Sequence, residues 1–527
     1  MPSQTQSAVF RFAGGWATDF GTSFDEPIGA GQNSIPYLVE AENCAFALDG
    51  SLRKIGGMTK FNATEVASGA EITGVYDFWE YGSGLTGTQK IVGHVGTVLY
   101  NFTGGANIST GHTDNAIPDY STFDDSLIYT TSVAADTPRY YSAAGGDAAL
   151  TGAPNFSFSC IHKNRVFAAG VPTAGSTVYF SAAEDPTDWT GFGSGAITVN
   201  PDDGDIITAI VSYRGELWVF KGPHNRSIHR ILGSAPASSD PFRVVPFVYG
   251  IGAAAQRLVF QMGNDLGFMD VDGSVYSLRD TDATAASYRM SSLSLPINNW
   301  LRENVVVNRM RFGVAAVDQQ RGYVVFTLTI NSGSANNYML LMDYRFDPPR
   351  WSSLPAFSNV TSVGTIVDTA NDNLPRVMAG GDDGFLRRFD TNDRSIDGTT
   401  SYSYRWKTPA FNFGDPFVTK HFDAASLGLV PKGNSPVVFG WRPDGGAWSD
   451  TDFDQLGGDV WGPASFNEMI WGSSLWGGGD AQDVRKAVDP GTFHKIQFRA
   501  EHGSLNQGVE IHNFALRLKL TGFSLEN

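Results

Sequence analysis

Along the 527-residue chain one short pattern of apolar and polar positions returns seven times: a strand-like run with polar turn residues beside it. The instances are QKIVGHVGTVLYNF from Gln89, FDDSLIYTTS from Phe123, HKNRVFAAG from His162, YRGELWVFKG from Tyr213, GNDLGFMDVDGSVYSL from Gly263, QRGYVVFTLTI from Gln320 and GGDDGFLRRF from Gly380. Their starts lie roughly 35 to 60 residues apart, the spacing of four-stranded propeller blades, which must stack on neighbours to bury their faces. Runs such as GELWVFKG and GYVVFTLTI keep the period of two, or the unbroken apolar character, of half-buried and buried strands. Pairs such as Arg214-Gly215, Asp272-Gly273, Arg321-Gly322 and Asp383-Gly384 supply the turns. The pattern predicts an all-β fold: a β-propeller of about seven blades over residues 66–400.

One segment breaks the pattern. In LSLPINNWLREN, Ser294 stands near a helix start and Pro296 in the first turn, with Ile297, Trp300 and Leu301 at helical spacing, which predicts a short inserted helix near 293–304. Residues 1–65 read as an arm with too little apolar surface to fold alone. Its Val9, Phe10 and Phe12 are suited to adding a strand to a sheet edge, on the last blade or on a neighbouring subunit. Beyond Ser401 the strands lengthen (SYSYRWKTPAFNFG, SPVVFGWRP, VEIHNFALRLKLTGF) and lose the blade turns, which predicts a separate C-terminal β-sandwich over 401–527. Within it a Gly/Trp-rich stretch carries Trp461, Trp471 and Trp476, a candidate contact surface.

Composition narrows the picture. Sixty glycines and 13% aromatic residues fit many short strands, and 42% hydrophobic with 17% charged residues fits a folded chain. The net charge is −17. A surface that holds nucleic acid neutralises phosphates with clustered Lys and Arg, and the densest runs here are only RSIHR and FLRRF. That argues against stable DNA binding, while an acidic wall lets a polyanion slide past without sticking. Two cysteines, Cys44 and Cys160, exclude a disulfide scaffold and a multi-cysteine zinc site. No signal peptide or membrane helix is visible, so manufacture in a cytoplasm is expected.

The candidate chemistry is sparse. The acidic turns NPDDGD (200–205), DVDGS (270–274) and GGDDG (380–384) have calcium-like composition, but none continues to the glutamate of an EF-hand, and D-G pairs are ordinary hairpin chemistry. The nine histidines contain no H-E-x-x-H, and the C-x-H of Cys160 and His162 is weak alone. Phosphate-loop and dinucleotide fingerprints are absent. VYFSAAEDPTDWTGFG (178–193) is superficially like a sialidase turn but lacks its glycine. These readings give no cofactor, no metal and no enzyme.

The GG of the arm, AENCAFALDGSLRKIGG (41–57), YFSAAEDPTDW, LSLPINNWLREN and MDYRFDPPRWSSL (342–354) together resemble the tail nozzle proteins, also called tail tubular protein B, of short-tailed bacteriophages. The 41–57 stretch is the most specific part of this resemblance, which covers arm and propeller. It implies a structural protein of the virion tail, made in the host bacterial cytoplasm. It also implies a homohexameric ring below an adaptor, contacts with tail fibre or needle proteins and the host surface, and transient passage of double-stranded DNA during ejection. On that expectation Asp202, Asp203, Asp205, Asp382 and Asp383 are candidate channel-lining residues, chosen by charge alone. The alternative is a receptor- or glycan-binding tail component that uses Trp461, Trp471 and Trp476 as a sugar platform.

Overall fold

The computed structural model describes residues 5–20, 23–24, 31–81, 87–236, 238–282, 287–414, 416–455 and 482–523. They form two compact units. One comprises residues 60–339 and 357–389; the other gathers 1–59, 340–356 and 390–527.

The first unit is the propeller. Five four-stranded antiparallel sheets follow one another over residues 72–110, 119–149, 158–198, 206–249 and 259–292. A sixth is built from Val360–Val367, Pro375–Gly381 and Leu386–Thr391, with Gly57–Lys60 as its fourth strand. The chain is stitched onto this last sheet as it enters, because Phe61 N–H donates to Leu386 O at 2.7 Å and Leu386 N–H to Asn62 Oδ1 at 2.8 Å.

Six self-contained blades therefore stand where seven were expected. The run from Gln320 does make a hairpin, Val314–Asp318 with Tyr323–Leu328, but those strands belong to a longer sheet and not to a separate four-stranded one. Periodicity counts hairpins, and one hairpin belongs to a sheet that does not end as a blade.

The reason that blades need neighbours is visible in their cores. Phe158, Phe167 and Phe180 of the third blade share one cluster with Ile210, Leu217 and Val219 of the fourth. Trp218 and Phe220 of the fourth share another with Leu266 and Phe268 of the fifth. Each second strand is thus covered on both faces, as in Arg165–Ala169, where all five residues are buried. Neighbouring first strands are zipped by side chains: Ser121 Oγ and Ser159 Oγ lie 2.9 Å apart, Tyr76 OH and Thr122 Oγ1 2.9 Å, and His162 Nδ1 and Ser212 Oγ 2.9 Å. The expected insertion is present as a 3-10 turn, Leu295–Ile297, running into the helix Asn298–Asn304, with Ile297 and Leu301 fully buried.

In the second unit, one sheet runs Gly31–Ile35, Thr5–Phe12, Glu510–Phe523, Val418–Val430, Gln482–Ala487. Tyr404–Lys407, Ile496–His502 and Val437–Pro443 pair in the other. The interior is aromatic: Phe10 stacks on Phe514 with centroids 4.7 Å apart, and Phe12 meets Trp406 edge-on at 4.9 Å. The arm is therefore corrected from an appendage to a component of the sandwich, its first strand lying inside the sheet and not on a blade edge.

The 41–57 stretch is a hub of this unit. Asn43 takes a left-handed backbone, φ 53°, which suits asparagine, and its side chain donates to Ser403 O at 2.6 Å. Glu42 pairs with Arg405 at 2.7 Å. Cys44, Phe46, Leu52 and Lys54 are all essentially inaccessible.

Candidate functional site

Antiparallel topology dictates where loops gather. In each blade, the loop entering the first strand and the hairpin joining the second to the third lie at the same end. In the fourth blade Ile206 opposes Gly222, in the fifth Met269 opposes Val275, and in the sixth Val360 opposes Gly381. The acidic turns 200–205, 270–274 and 380–384, distant in sequence, consequently share one end of the propeller.

At that end most of the acids are committed to structure. Asp203 accepts from Lys221 Nζ at 2.7 Å, and the same ammonium, with no exposure, also meets Ser176 Oγ, Val199 O and Asn200 O at 3.1, 3.0 and 2.7 Å. Asp205 is 3% exposed and accepts the backbone N–H groups of His224, Asn225 and Arg226 at 2.7–2.8 Å. It anchors a turn. Asp270 pairs with Arg226 at 2.8 Å, Asp272 with Arg302 at 2.9 Å, and Asp383 with Arg387 at 2.6 Å. Asp202 and Asp382 are exposed, with no ion-pair partner among the described residues. Trp461, Trp471 and Trp476 lie outside the described residues.

Beside the turns is a group that the sequence reading missed. Arg257, on the 3-10 turn Gln256–Leu258, donates to Thr73 O at 2.5 Å and Phe312 O at 3.1 Å, and burial lowers its pKa to about 10. Burial lifts Asp119 to about 7 despite the Ser159 N–H that it accepts. Burial also raises Glu71, against the pull of Arg309 and with help from Asp382 and Asp114. Asp382 itself is raised by burial and by neighbouring Asp383. Close by, His94 is 1% exposed with Nδ1 3.0 Å from Thr73 Oγ1, and burial and His112 depress it to about 4. The two imidazole centroids are 5.8 Å apart. The available signal was a polar residue on an inward position: His94 within IVGHVG, and Asp119 at the first position of Asp119–Phe123.

Chemically, this end combines carboxyl groups whose pKa burial raises, Asp119 to about 7, with Arg226, Arg257, Arg302 and Arg387 held by carboxylates or carbonyls, and leaves Asp202 and Asp382 exposed. The C-x-H pair is inert: burial pushes the Cys160 thiol up and His162 is engaged with Ser212. Calcium is not favoured in the acidic turns, where Asp203, Asp205, Asp270, Asp272 and Asp383 point to arginines, a lysine and backbone N–H groups.

No family model and no curated relative matches the chain. Solved structures align with it at low similarity. Raptor of Chaetomium thermophilum aligns at 10% identity and TM-score 0.38 over 63% of this chain and 29% of Raptor, well under two thirds of that protein's length. An exo-beta-1,3-galactanase of Phanerochaete chrysosporium aligns at 10% identity and TM-score 0.22, covering 67% and 92% of the two chains. A glycoside hydrolase family 43 arabinoxylan arabinofuranohydrolase of Bacillus subtilis aligns at 11% and 0.24, covering 87% and 96%. The sequence reading excluded enzymes. With glycoside hydrolases among the matched structures that exclusion is withdrawn; at these TM-scores the likenesses bring no activity to this chain. What the chain has is an all-β fold, a propeller together with a β-rich second unit.

Proposed function

We propose that this protein is a structural element of a short phage tail, a ring-forming nozzle that extends the tail tube, retains packaged DNA and conducts it on ejection. The observation that supports this reading most is the acidic end of the propeller. Turns from three blades bring the exposed Asp202 and Asp382 to one end, and Lys221, Arg226, Arg302 and Arg387 among those turns are spent on ion pairs, which lowers the cation that a passing duplex meets. Each phosphate contact avoided removes salt-sensitive affinity that ejection would have to overcome. The resemblance of residues 41–57 to nozzle proteins adds to it, with an adaptor, tail fibres and the host surface as the partners that it implies.

The test uses Asp202→Lys together with Asp382→Lys, both exposed and outside the ion pairs described. In particles shown to carry the variant ring, genome release should slow or stall at low salt and recover as salt rises. Wild-type release kinetics at every salt concentration would remove these two positions from the channel, and a tail reconstruction without an axial ring of this chain would remove the nozzle reading itself.

A further inference from the structure

The Asp49-Gly50 turn, inside the 41–57 stretch, makes contacts that a hairpin does not require. Its geometry is closed locally: Gly50 N–H donates to Ala47 O at 3.0 Å, Ser51 N–H to Asp49 Oδ1 at 2.9 Å, and Gly50 has the φ of 85° that a D-G turn needs. Asp49 Oδ2 is left over, and faces His512 Nδ1 at 3.4 Å. On the other side of the ring, Glu510 Oε1 lies 3.7 Å from His512 Nε2. Glu510 divides its oxygens, since Oε1 accepts from Ser51 Oγ at 3.1 Å and Oε2 faces Lys432 Nζ at 3.6 Å.

One donor atom from each of Asp49, Glu510 and His512 can be chosen so that all three lie within 4.8 Å of one another. The contacts at 3.4 and 3.7 Å exceed a normal N–H···O hydrogen bond. The shorter one is close to the separation of two atoms sharing a tetrahedral ion, roughly 3.3 Å for ligand distances of about 2.0–2.1 Å; an imidazole gives an ion one nitrogen, so with Nδ1 as the ligand the Glu510 carboxylate turns from Nε2 toward Nδ1 on binding. A cavity of about 210 Å³ adjoins the cluster, lined by Arg11, Asp49, Gly428, Asp483, His512 and Asn513. It leaves room for the water that completes a three-ligand site.

We propose that Asp49, Glu510 and His512 bind one divalent transition-metal ion of the zinc type, with an open position toward this cavity. The mixed N/O donor set suits zinc better than calcium, which takes oxygen alone. Such an ion pins the turn at residues 47–51 to the strand Glu510–Phe523, adding a bond to the hub where the beginning and the end of the second unit meet.

The experiment titrates zinc chloride into the whole chain, first stripped with EDTA, by calorimetry, and repeats it with cobalt(II) read by its visible spectrum. One equivalent should bind, with the strong visible bands of tetrahedral cobalt and a rise in melting temperature. His512→Asn and Asp49→Asn should each weaken binding by about tenfold or more. The fold of each variant is checked in EDTA by circular dichroism and melting, so that lost binding is not lost structure; Glu510→Gln, which keeps the shape of the side chain, serves if either unfolds. Absence of saturable binding to the wild type, which would leave only an ion triad, overturns the proposal. So does equal affinity in folded variants.

Discussion

Lys221 shows how single residues at the acidic end of the propeller are fixed. A fully buried ammonium is tolerable only when its hydrogens are all used, and four oxygens surround this one. Replacing Lys221 with Ala should lower stability by about 3–5 kcal/mol, the scale for breaking a buried pair, whereas Asp202→Ala should change it by less than about 0.5 kcal/mol; chemical denaturation measures both. Charge pattern alone put Asp202, Asp203 and Asp205 in one class. The structure separates them, because what distinguishes them is the partner each meets: solvent, Lys221 or three backbone N–H groups. Nothing in the order NPDDGD encodes those partners.

The buried histidines make a second prediction at this scale. His94, His162 and His502 sit near pKa 4 through burial, against 6.5 in an unfolded chain. Below 6.5 the unfolded chain takes up protons that the native one refuses, so this part of the stability is present above 6.5 and lost as pH falls toward 4. Asp119 has the opposite sign. With its folded pKa near 7 against 3.8, it penalises the folded state above 7, and the penalty fades as pH drops toward 3.8. Melting temperature followed against pH should therefore fall less steeply between about 6.5 and 4 in His94→Gln. Asp119→Asn should gain more at about pH 8 than at about pH 5.

At the scale of elements, local pattern succeeded where the partner is local. The first five blades were found through their second strands, since a strand covered on both faces reads as an apolar run, the sixth through its 380–384 turn and third strand Leu386–Thr391, and the helix Asn298–Asn304 through spacing and Pro296. The arm was misplaced because Thr5–Phe12 pairs with Glu510–Phe523, a partner that no window of neighbouring residues contains. Its aromatic residues are core residues. Phe10, 1% exposed, should cost about 3–5 kcal/mol when replaced by Ala. Deleting residues 5–12 should abolish one calorimetric transition, that of the second unit; two transitions with unchanged midpoints would show the strand to be dispensable.

For the whole molecule the dominant quantity is charge. A ring of six would carry six times −17, a repulsion that apolar and polar interfaces must exceed. Because salt screens exposed charges beyond roughly 8–10 Å near physiological strength, raising ionic strength should shift the purified chain toward rings. Mass photometry at low and high salt checks this, and a ring population that shrinks with added salt would show attraction between charges to be the binding force. Net charge was legible from composition. The end of the propeller on which the carboxylates gather was not, because that follows from strand direction, which only the assembled blades reveal.

The pairing of Thr5–Phe12 with Glu510–Phe523 also sets a timetable for synthesis. A ribosome adds about 5–20 residues per second, so Phe10 and Phe12 emerge roughly half a minute or more before Phe514, their stacking partner, exists. Blades one to five, whose pairings are each local, can close in that interval; the aromatic half-core at the start of the chain stays uncovered. A polypeptide released before residue 510 keeps it uncovered permanently, and chaperones and proteases bind such surface. A shortened copy lacks the strand that would conceal its own first one.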